Sequence, residues 1–492
     1  MPAHFAIEGA SVSPPDSVAY QPEPSTSLEW TSPTDRENPR NFPLATRIYT
    51  TAAVSFLAFV TAFAASIYSP AIEEVQNTFE VSEEVSLLPL SFYNLGLAFG
   101  PLVGAPLSEV YGRKAVFLLT TPVFALLVLG AGLSRDVASL CVCRFIAAVF
   151  AAPAISNASA TIADITDGRY RGIALGIYYA VPSCGAVLGP LVGGFVVIGK
   201  GWRWTQWVTL MFIGAAYLPV LFTPETYKVR LLQQRAKKLG IDPATAQPKK
   251  SISAALLYFL RKLFFRPIHM LFTEPIVTLV CVYSGFLFGL TYTFVVASPW
   301  VWSHYYAFSP AAQSLSFLSL TLGVCLVPIP QVLADRYIYQ PRLRRHLATS
   351  PPSTPFPAEQ RLSAALPASL LLPLSLFAYA WTARASIHWV VPMLFQALAM
   401  LSSIVVYGSV NLYMLDAYGP LYGASASGAA MLCRYTFSAA FPMFSLRLYR
   451  ALGAGWAGDL LGFLAIVLAA GLWGFWRWGK GVKGSGKYEL ST

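Results

Sequence analysis

Apolar residues in this chain come in long unbroken runs, such as Ile48 to Tyr68 and Leu460 to Trp476, instead of the one-sided stripe of a helix packed in water. A bilayer core takes about 20 apolar residues per helical span. Hydrocarbon offers no partners to backbone N–H and C=O groups, so only helices and closed barrels cross it. The runs are too long and too unalternating for barrel strands. Read in order, they predict an all-α polytopic membrane protein with twelve transmembrane helices. The spans fall near 48–69, 86–106, 115–133, 139–162, 172–198, 206–223, 276–297, 313–333, 366–382, 389–411, 424–446 and 458–477.

Polar stretches group these spans. Residues 1–47 are rich in Pro, Ser and Glu, with no cleavable signal peptide, and read as a disordered cytoplasmic tail. An N-terminal six-helix half at 48–223 and a C-terminal one at 276–477 flank a cytoplasmic connection at 224–275, and a short tail follows at 478–492. Within the connection, Tyr227 to Leu239 and Ile252 to Phe265 are amphipathic, suited either to the inner membrane surface or to a solvated linker. Prolines 351, 352, 355 and 357 mark a second, irregular loop.

Composition agrees: 55% of the 492 residues are hydrophobic and 12% charged, against about 25% charged in ordinary soluble chains. The net charge of +11 would suit nucleic acid if it formed one patch. Instead the bases gather in alternate connections: Arg113 and Lys114; Arg169 and Arg171; ten in 224–275; Arg336, Arg342, Arg344, Arg345 and Arg361; then Arg477, Lys480, Lys483 and Lys487. The first opposite loop carries Glu73, Glu74, Glu80, Glu83 and Glu84 and no base. By the positive-inside rule the basic face and both termini are cytoplasmic, with lipid headgroups as counter-charge and no nucleic-acid partner. Cysteines 141, 143, 184, 281, 325 and 433 fall inside predicted spans and act as small apolar residues, with no metal motif. The sequon at Asn157 is also within a span. Histidines 4, 269, 304, 346 and 388 are scattered, so the clustered ligands or His-Asp pair of a membrane enzyme are missing. No catalytic residue, cofactor or metal is expected.

Three motifs carry mechanism. The connection between spans two and three reads from Gly104 through Glu109 to Gly112-Arg113-Lys114. Gly112 permits a sharp reversal, and Glu109 can pair with a cation or a helix N-terminus in one of two conformations, which makes a latch. Arg144 lies inside span four, with Asp164 at that span's far end. A lone guanidinium in hydrocarbon costs several kcal/mol, so it should face a cavity or a partner, unless it snorkels outward. Span five carries Gly185, Gly189, Pro190, Gly193 and Gly194. The glycines at 185, 189 and 193 share one face for close helix packing, and Pro190 bends the rod. A similar row at Gly96, Gly100 and Gly104 reads as packing.

Together these resemble the major facilitator superfamily: its charged loop between spans two and three with Glu109 in place of the usual Asp, its span-four arginine, and its Gly-x-x-x-Gly-Pro-x-x-Gly-Gly antiporter motif. The chain is most similar to the fungal twelve-span drug:proton antiporter family, in the branch with polyamine and multidrug exporters. The likeness extends from Trp30 through Pro224-Glu225-Thr226, Glu274-Pro275, Asn411 to Tyr418, and Ala440 to Phe444. It implies alternating access of two halves about a midplane site, with protons as coupling ion and Asp164, Asp416 and Glu109 as the acids near the membrane. Span one holds no acid, and where the branch carries a Glu at the end of span seven this chain has Val296-Ala297-Ser298-Pro299, which argues against a polyamine substrate. Asn94, Tyr178, Tyr179, Tyr283, Tyr292, Gln396, Tyr407, Asp416 and Arg434 are candidates for the cavity. The expected activity is export of hydrophobic or amphiphilic small molecules by a monomer in the plasma membrane, the vacuolar membrane being the alternative. A proton-independent facilitator, a nutrient symporter and a transport-dead receptor share the pattern.

Overall fold

The structure, a computed structural model, describes residues 30, 32, 34–167, 170–238, 265–349, 351 and 356–482, without the side chains of 101–103, 105, 106, 109, 110, 420, 421, 424 and 478–482. The N-terminal tail to 29, Arg169, the 239–264 stretch with most of Ile252 to Phe265, two of the four clustered prolines (352 and 355), the tail beyond 482 and the Glu109 side chain lie outside the described part.

Among the described residues, ten helical stretches are long and apolar enough to cross a bilayer, and the longest, Ser425–Arg477 with 53 residues, breaks at Gly453 (φ 73°). Adding the 29-residue Glu83–Tyr111 helix gives twelve. We number them α1 (Leu44–Ser66), α2 (Glu83–Tyr111), α3 (Arg113–Gly132), α4 (Val137–Ile165), α5 (Arg171–Lys200) and α6 (Arg203–Leu221) in the first half. The second half holds α7 (Pro275–Tyr306), α8 (Pro310–Cys325), α9 (Ala365–Thr382), α10 (Val390–Gly419), α11 (425–452) and α12 (454–477).

Local chemistry sets several boundaries. Ser82, Asp136 and Ser309 take extended backbone before α2, α4 and α8, and each accepts from an N–H three residues on, the Asp136 bond being 2.7 Å. The connection between α2 and α3 shrinks to one residue, Gly112. Two helices overrun the expected spans. α7 continues through an aromatic stretch to Tyr306, and the helical path of α8 runs on through Pro328–Ala334 and Gln340–Thr349, where Arg336, Arg342, Arg344 and Arg345 let a helix continue into water.

Small residues decide which helices touch. A Cβ on Gly96, Gly100 or Gly104 of α2 would meet Phe145, Ala152 or Pro153 of α4 at 2.8 Å or less, and one on Gly185, Gly189 or Gly193 of α5 would meet Phe59, Ser66 or Ile67 of α1. The second half repeats this six helices later: Gly285 and Gly289 of α7 receive Phe437 and Phe441 of α11, and Gly323 of α8 meets Ala397 of α10. Likewise Gly132 of α3 receives Trp207 of α6, and Gly458 of α12 meets Ala380 of α9. Without a hydrophobic force between helices in lipid, such close backbone approach is what holds spans together. The outer surfaces of these last four are apolar: Leu126, Leu218, Leu374 and Val467 are more than half exposed, a surface that only acyl chains solvate well.

The glycine packing generates a direct comparison on one helix. Gly185→Ala drives a methyl to 2.3 Å from the Phe59 carbonyl, whereas Gly199→Ala meets nothing within 4 Å. Both gain the same helix propensity, so Gly185→Ala should lower the melting temperature in detergent, in line with an overpacking penalty of about 1–3 kcal/mol, while Gly199→Ala leaves it unchanged or raises it. Equal melting curves would show that α5 is free to move away from α1.

Candidate functional site

Between the halves lies a cavity of about 920 Å³, lined by residues of α2, α4 and α5 on one side and of α7, α10 and α11 on the other. Its lining runs from Arg113, Arg171, Arg361 and Asp416 at the helix ends on the basic face inward to Tyr178, Tyr292 and Arg434. It does not reach the opposite face. There the start of α2 is tied to the end of α11 by ion pairs, Glu83 with Arg450 at 2.6 Å and Glu84 with Arg447. Close to that face, Gly194 of α5 takes the Ser314 side chain of α8, so α5 also crosses between halves. As lined by the described residues, the cavity therefore opens on the basic face.

Its inner wall is aromatic around one charge. Arg434 of α11 is 5% exposed, and its guanidinium lies over the rings of Tyr435 at 4.5 Å, Phe288 at 4.7 Å and Tyr407 at 5.2 Å. One terminal N–H donates to the Tyr407 hydroxyl. Tyr407 in turn packs edge-on against Phe288 and against Tyr179 of α5, with centroids 4.9 and 5.3 Å apart, so the cage joins both halves. Ring faces attract a cation, and here they stand where a carboxylate would otherwise be needed.

The end of α7 is neutral. Ser298 is buried and accepts from Gln396 Nε2 at 2.6 Å, while Ser319 Oγ donates to Gln396 Oε1 at 3.0 Å, so α7, α8 and α10 share a hydrogen-bonded chain without charge.

At the basic face each half carries one carboxylate–guanidinium pair at corresponding places. Asp164 at the end of α4 meets Arg113 Nε at 3.4 Å, and Asp416 near the end of α10 meets Arg361 Nε at 2.7 Å. Arg361 also lies over the Tyr339 ring at 4.0 Å and against Gly172 of α5, across the halves. Arg113 lies over the Tyr227 ring and donates to Ser108. Around Gly112 the carboxylate of Glu225 does the holding. It accepts from the N–H groups of Arg113 at 2.9 Å, Lys114 at 3.2 Å, and Thr226 and Tyr227 at 2.9 Å each. It thereby caps the positive end of α3 from the segment after α6. Gly112 has φ +93°, and any Cβ there would sit 2.4 Å from Glu225 Oε2, so both conformation and space demand glycine.

Arg144 belongs to a different environment. It is 2% exposed and donates from Nε to the Pro89 carbonyl at 2.9 Å and from a terminal nitrogen to Ala64 and Ala65 at 3.1 and 3.0 Å. Its carbon sits 4.9 Å from the centroids of both Tyr68 and Tyr93. It pins α1, α2 and α4 of one half together, is not among the lining residues of the cavity, and does not snorkel outward.

Of the residues singled out from sequence, Tyr178, Tyr179, Tyr292, Tyr407, Asp416 and Arg434 line the cavity, as does Arg113. Asn94, Tyr283 and Gln396 are buried in helix contacts beside it. Gly185, Gly189 and Gly193 face α1 within their own half; only Gly194 touches the other. Phe288, Tyr435, Arg361 and Glu225 were not singled out. Glu225 had a local signal in its position between Pro224 and Thr226, immediately after an apolar run.

Two six-helix halves around a central cavity that opens on one face define a membrane transporter. The chain belongs to the Major Facilitator Superfamily, whose family model matches residues 54–442. It is 32% identical to the polyamine transporter 4 of Saccharomyces cerevisiae over 96% of this chain and 74% of that one. It is 33% identical to the efflux pump FUBT of Fusarium oxysporum, over 94% of this chain and 77% of that one. Among solved structures, that of the proton:xylose symporter XylE superposes with a TM-score of 0.63 at 14% identity, over 88% of this chain and 96% of that one.

The two arginine and glutamate clusters predict separable defects. Arg144→Lys keeps the charge but loses the separate Nε and terminal donors that reach α2 and α1; with charge-assisted hydrogen bonds contributing about 1.5–3 kcal/mol each, the purified variant should melt well below the parent yet rank bound compounds in the same order. Glu225→Gln removes a charged cap of about 1–2 kcal/mol and should quicken proteolysis and hydrogen exchange at the α2–α3 turn selectively. A changed compound ranking in the first, or unchanged exchange in the second, would contradict these roles.

Proposed function

We propose that this chain is a secondary active exporter, moving hydrophobic or amphiphilic small molecules out of the cytoplasm by alternating access in exchange for protons. The observation that carries the reading is the cavity between the halves, open on the basic face and shut on the other by the Glu83–Arg450 and Glu84–Arg447 pairs. The basic face, with both termini, is cytoplasmic by the positive-inside rule. The cavity is then loaded from inside, and rocking of the halves about the aromatic cage delivers the cargo outward. Monomers in the plasma membrane suit this task, and the name of the similar efflux pump from Fusarium points the same way.

Proton exchange falls to the acids at the mouth. Protonating Asp416 frees Arg361, which spans Gly172 of the other half, so loss of this pair loosens the cytoplasmic side of the interface. Asp164 with Arg113 serves the first half in the same manner, and Glu109 shares their connection. A polyamine cargo is disfavoured: the inner cavity presents a guanidinium, and the end of α7 presents Ser298 and Gln396.

Cells overexpressing the protein should accumulate less of several chemically diverse toxic compounds than cells lacking it. In vesicles holding the purified chain, a pH gradient should drive net movement of the same compounds. Asp416→Asn should stop the gradient-driven component and spare exchange at equal pH. Equal accumulation in both strains would end the exporter reading, and transport indifferent to pH would leave a facilitator. Replacing Glu83 and Glu84 together with Gln should raise labelling of cavity cysteines introduced at Tyr178 or Tyr292 by impermeant reagents added outside.

A further inference from the structure

We infer that the cargo site is an anion site: Arg434 receives a carboxylate or comparable acidic group on an aromatic substrate, whose ring lies among Phe288, Tyr407 and Tyr435. This rests on the exporter reading and names its substrate class.

The argument begins with charge. Among the described residues, the charged side chains lining the cavity are Arg113, Arg171, Arg361, Asp416 and Arg434. Asp416 is engaged with Arg361 and Arg113 with Asp164, all at the mouth. Deep inside, the guanidinium of Arg434 is the charge that an entering molecule meets. A guanidinium stays protonated at any physiological pH, so burial leaves a full positive charge in a low-dielectric wall. Ring faces offset part of that penalty and the Tyr407 hydroxyl takes one terminal N–H, which leaves Nε unmatched.

The second observation is the inventory of unused hydrogen-bonding atoms. Among the described residues, two that line the cavity carry a buried side-chain nitrogen or oxygen without a partner, and both atoms are donors: Arg434 Nε and Asn157 Nδ2. Arg434 Nε is on a side chain that is 95% buried by its 5% exposure. A buried donor left unmatched costs about 1–3 kcal/mol, more when charged, which an acceptor-rich ligand removes. A carboxylate suits this best, because a small rotation of the guanidinium, whose Nε is enclosed at rest, presents Nε and a terminal N–H as a fork that a planar anion accepts with both oxygens. An ammonium would meet the repulsion of the guanidinium there. A neutral amide supplies one acceptor oxygen and no opposing charge. The aromatic half of the ligand follows from the walls, where the Tyr179–Tyr407 and Phe288–Tyr407 edge contacts leave ring surfaces facing the cavity.

The test uses the purified full-length chain and three probes of one shape: 2-naphthoate, 2-naphthamide and 2-naphthylmethylammonium, with affinity read by equilibrium binding. 2-Naphthoate should bind at least about tenfold more tightly than the amide, the scale expected for engaging a buried charge, and the ammonium most weakly. Arg434→Met should bring naphthoate and amide to the same affinity by weakening naphthoate alone. Should that variant fail to give a monodisperse protein, Arg434→Lys, which keeps the charge and loses the fork, should retain a reduced preference. The inference is overturned if the parent binds the amide or ammonium as well as naphthoate, if none of the three binds, or if either variant keeps the full preference. Vesicles loaded with the same probes separate the two readings. Transport of the amide or ammonium without any preference for naphthoate defeats the anion site and leaves the exporter standing. Selective binding of naphthoate with no movement under either gradient defeats the exporter and leaves the site.

Discussion

A charged group inside a bilayer protein must find its counterparts within the protein, and that constraint orders this molecule. Arg144 and Arg434 are both almost fully buried in spans, yet they are satisfied in opposite ways. The first is held by three backbone carbonyls and becomes a rivet within one half. The second is wrapped by rings, keeps a free donor, and sits at the seam. Saturation makes one a structural rivet, and incompleteness is the ground on which the other is inferred to be a site. The same logic places the carboxylates: Asp164, Asp416 and Glu225 all lie at helix ends, each against a guanidinium or a helix N-terminus.

The division of labour among helices follows from where small residues stand. Glycines on α2, α5, α7 and α12 lock partners within a half, and the same pairings recur six helices later. Between halves the contacts are of another kind: ion pairs, a serine against Gly194, and the tyrosine edges of the cage. Tight backbone contact resists sliding, whereas side-chain contacts can be exchanged for others. The halves are therefore suited to move as bodies.

Much of this was legible in the chain before folding. Uninterrupted apolar runs gave the twelve spans, since lipid leaves helices as the only way to hide the backbone, and the family followed from Gly112-Arg113-Lys114, Arg144 and the glycines from 185 to 194. The overrun of α7 to Tyr306 was not legible, because hydropathy marks where lipid ends and a helix need not stop there. Six of the proposed cavity residues do line it. What sequence could not show is company. Nothing near Arg434 in the chain announces Phe288 or Tyr407, which come from α7 and α10, and nothing in Arg144 distinguishes carbonyl partners from a cavity. Glu225 shows the same limit: Glu109 is the acid on the glycine's own connection, its side chain outside the described part, while a second acid, the one that seats on α3, arrives over a hundred residues later through the packing of α6 against α3.

The closed end of the cavity rests on surface charge pairs, and such pairs are individually weak and weakened further by dissolved ions. The Gly194–Ser314 contact near the same face adds packing that dissolved ions do not weaken. In the exporter reading, the balance between the inward-open and outward-open forms then responds to the salinity of the medium bathing the Glu83 and Arg450 side, which makes the surroundings a silent participant in each turnover.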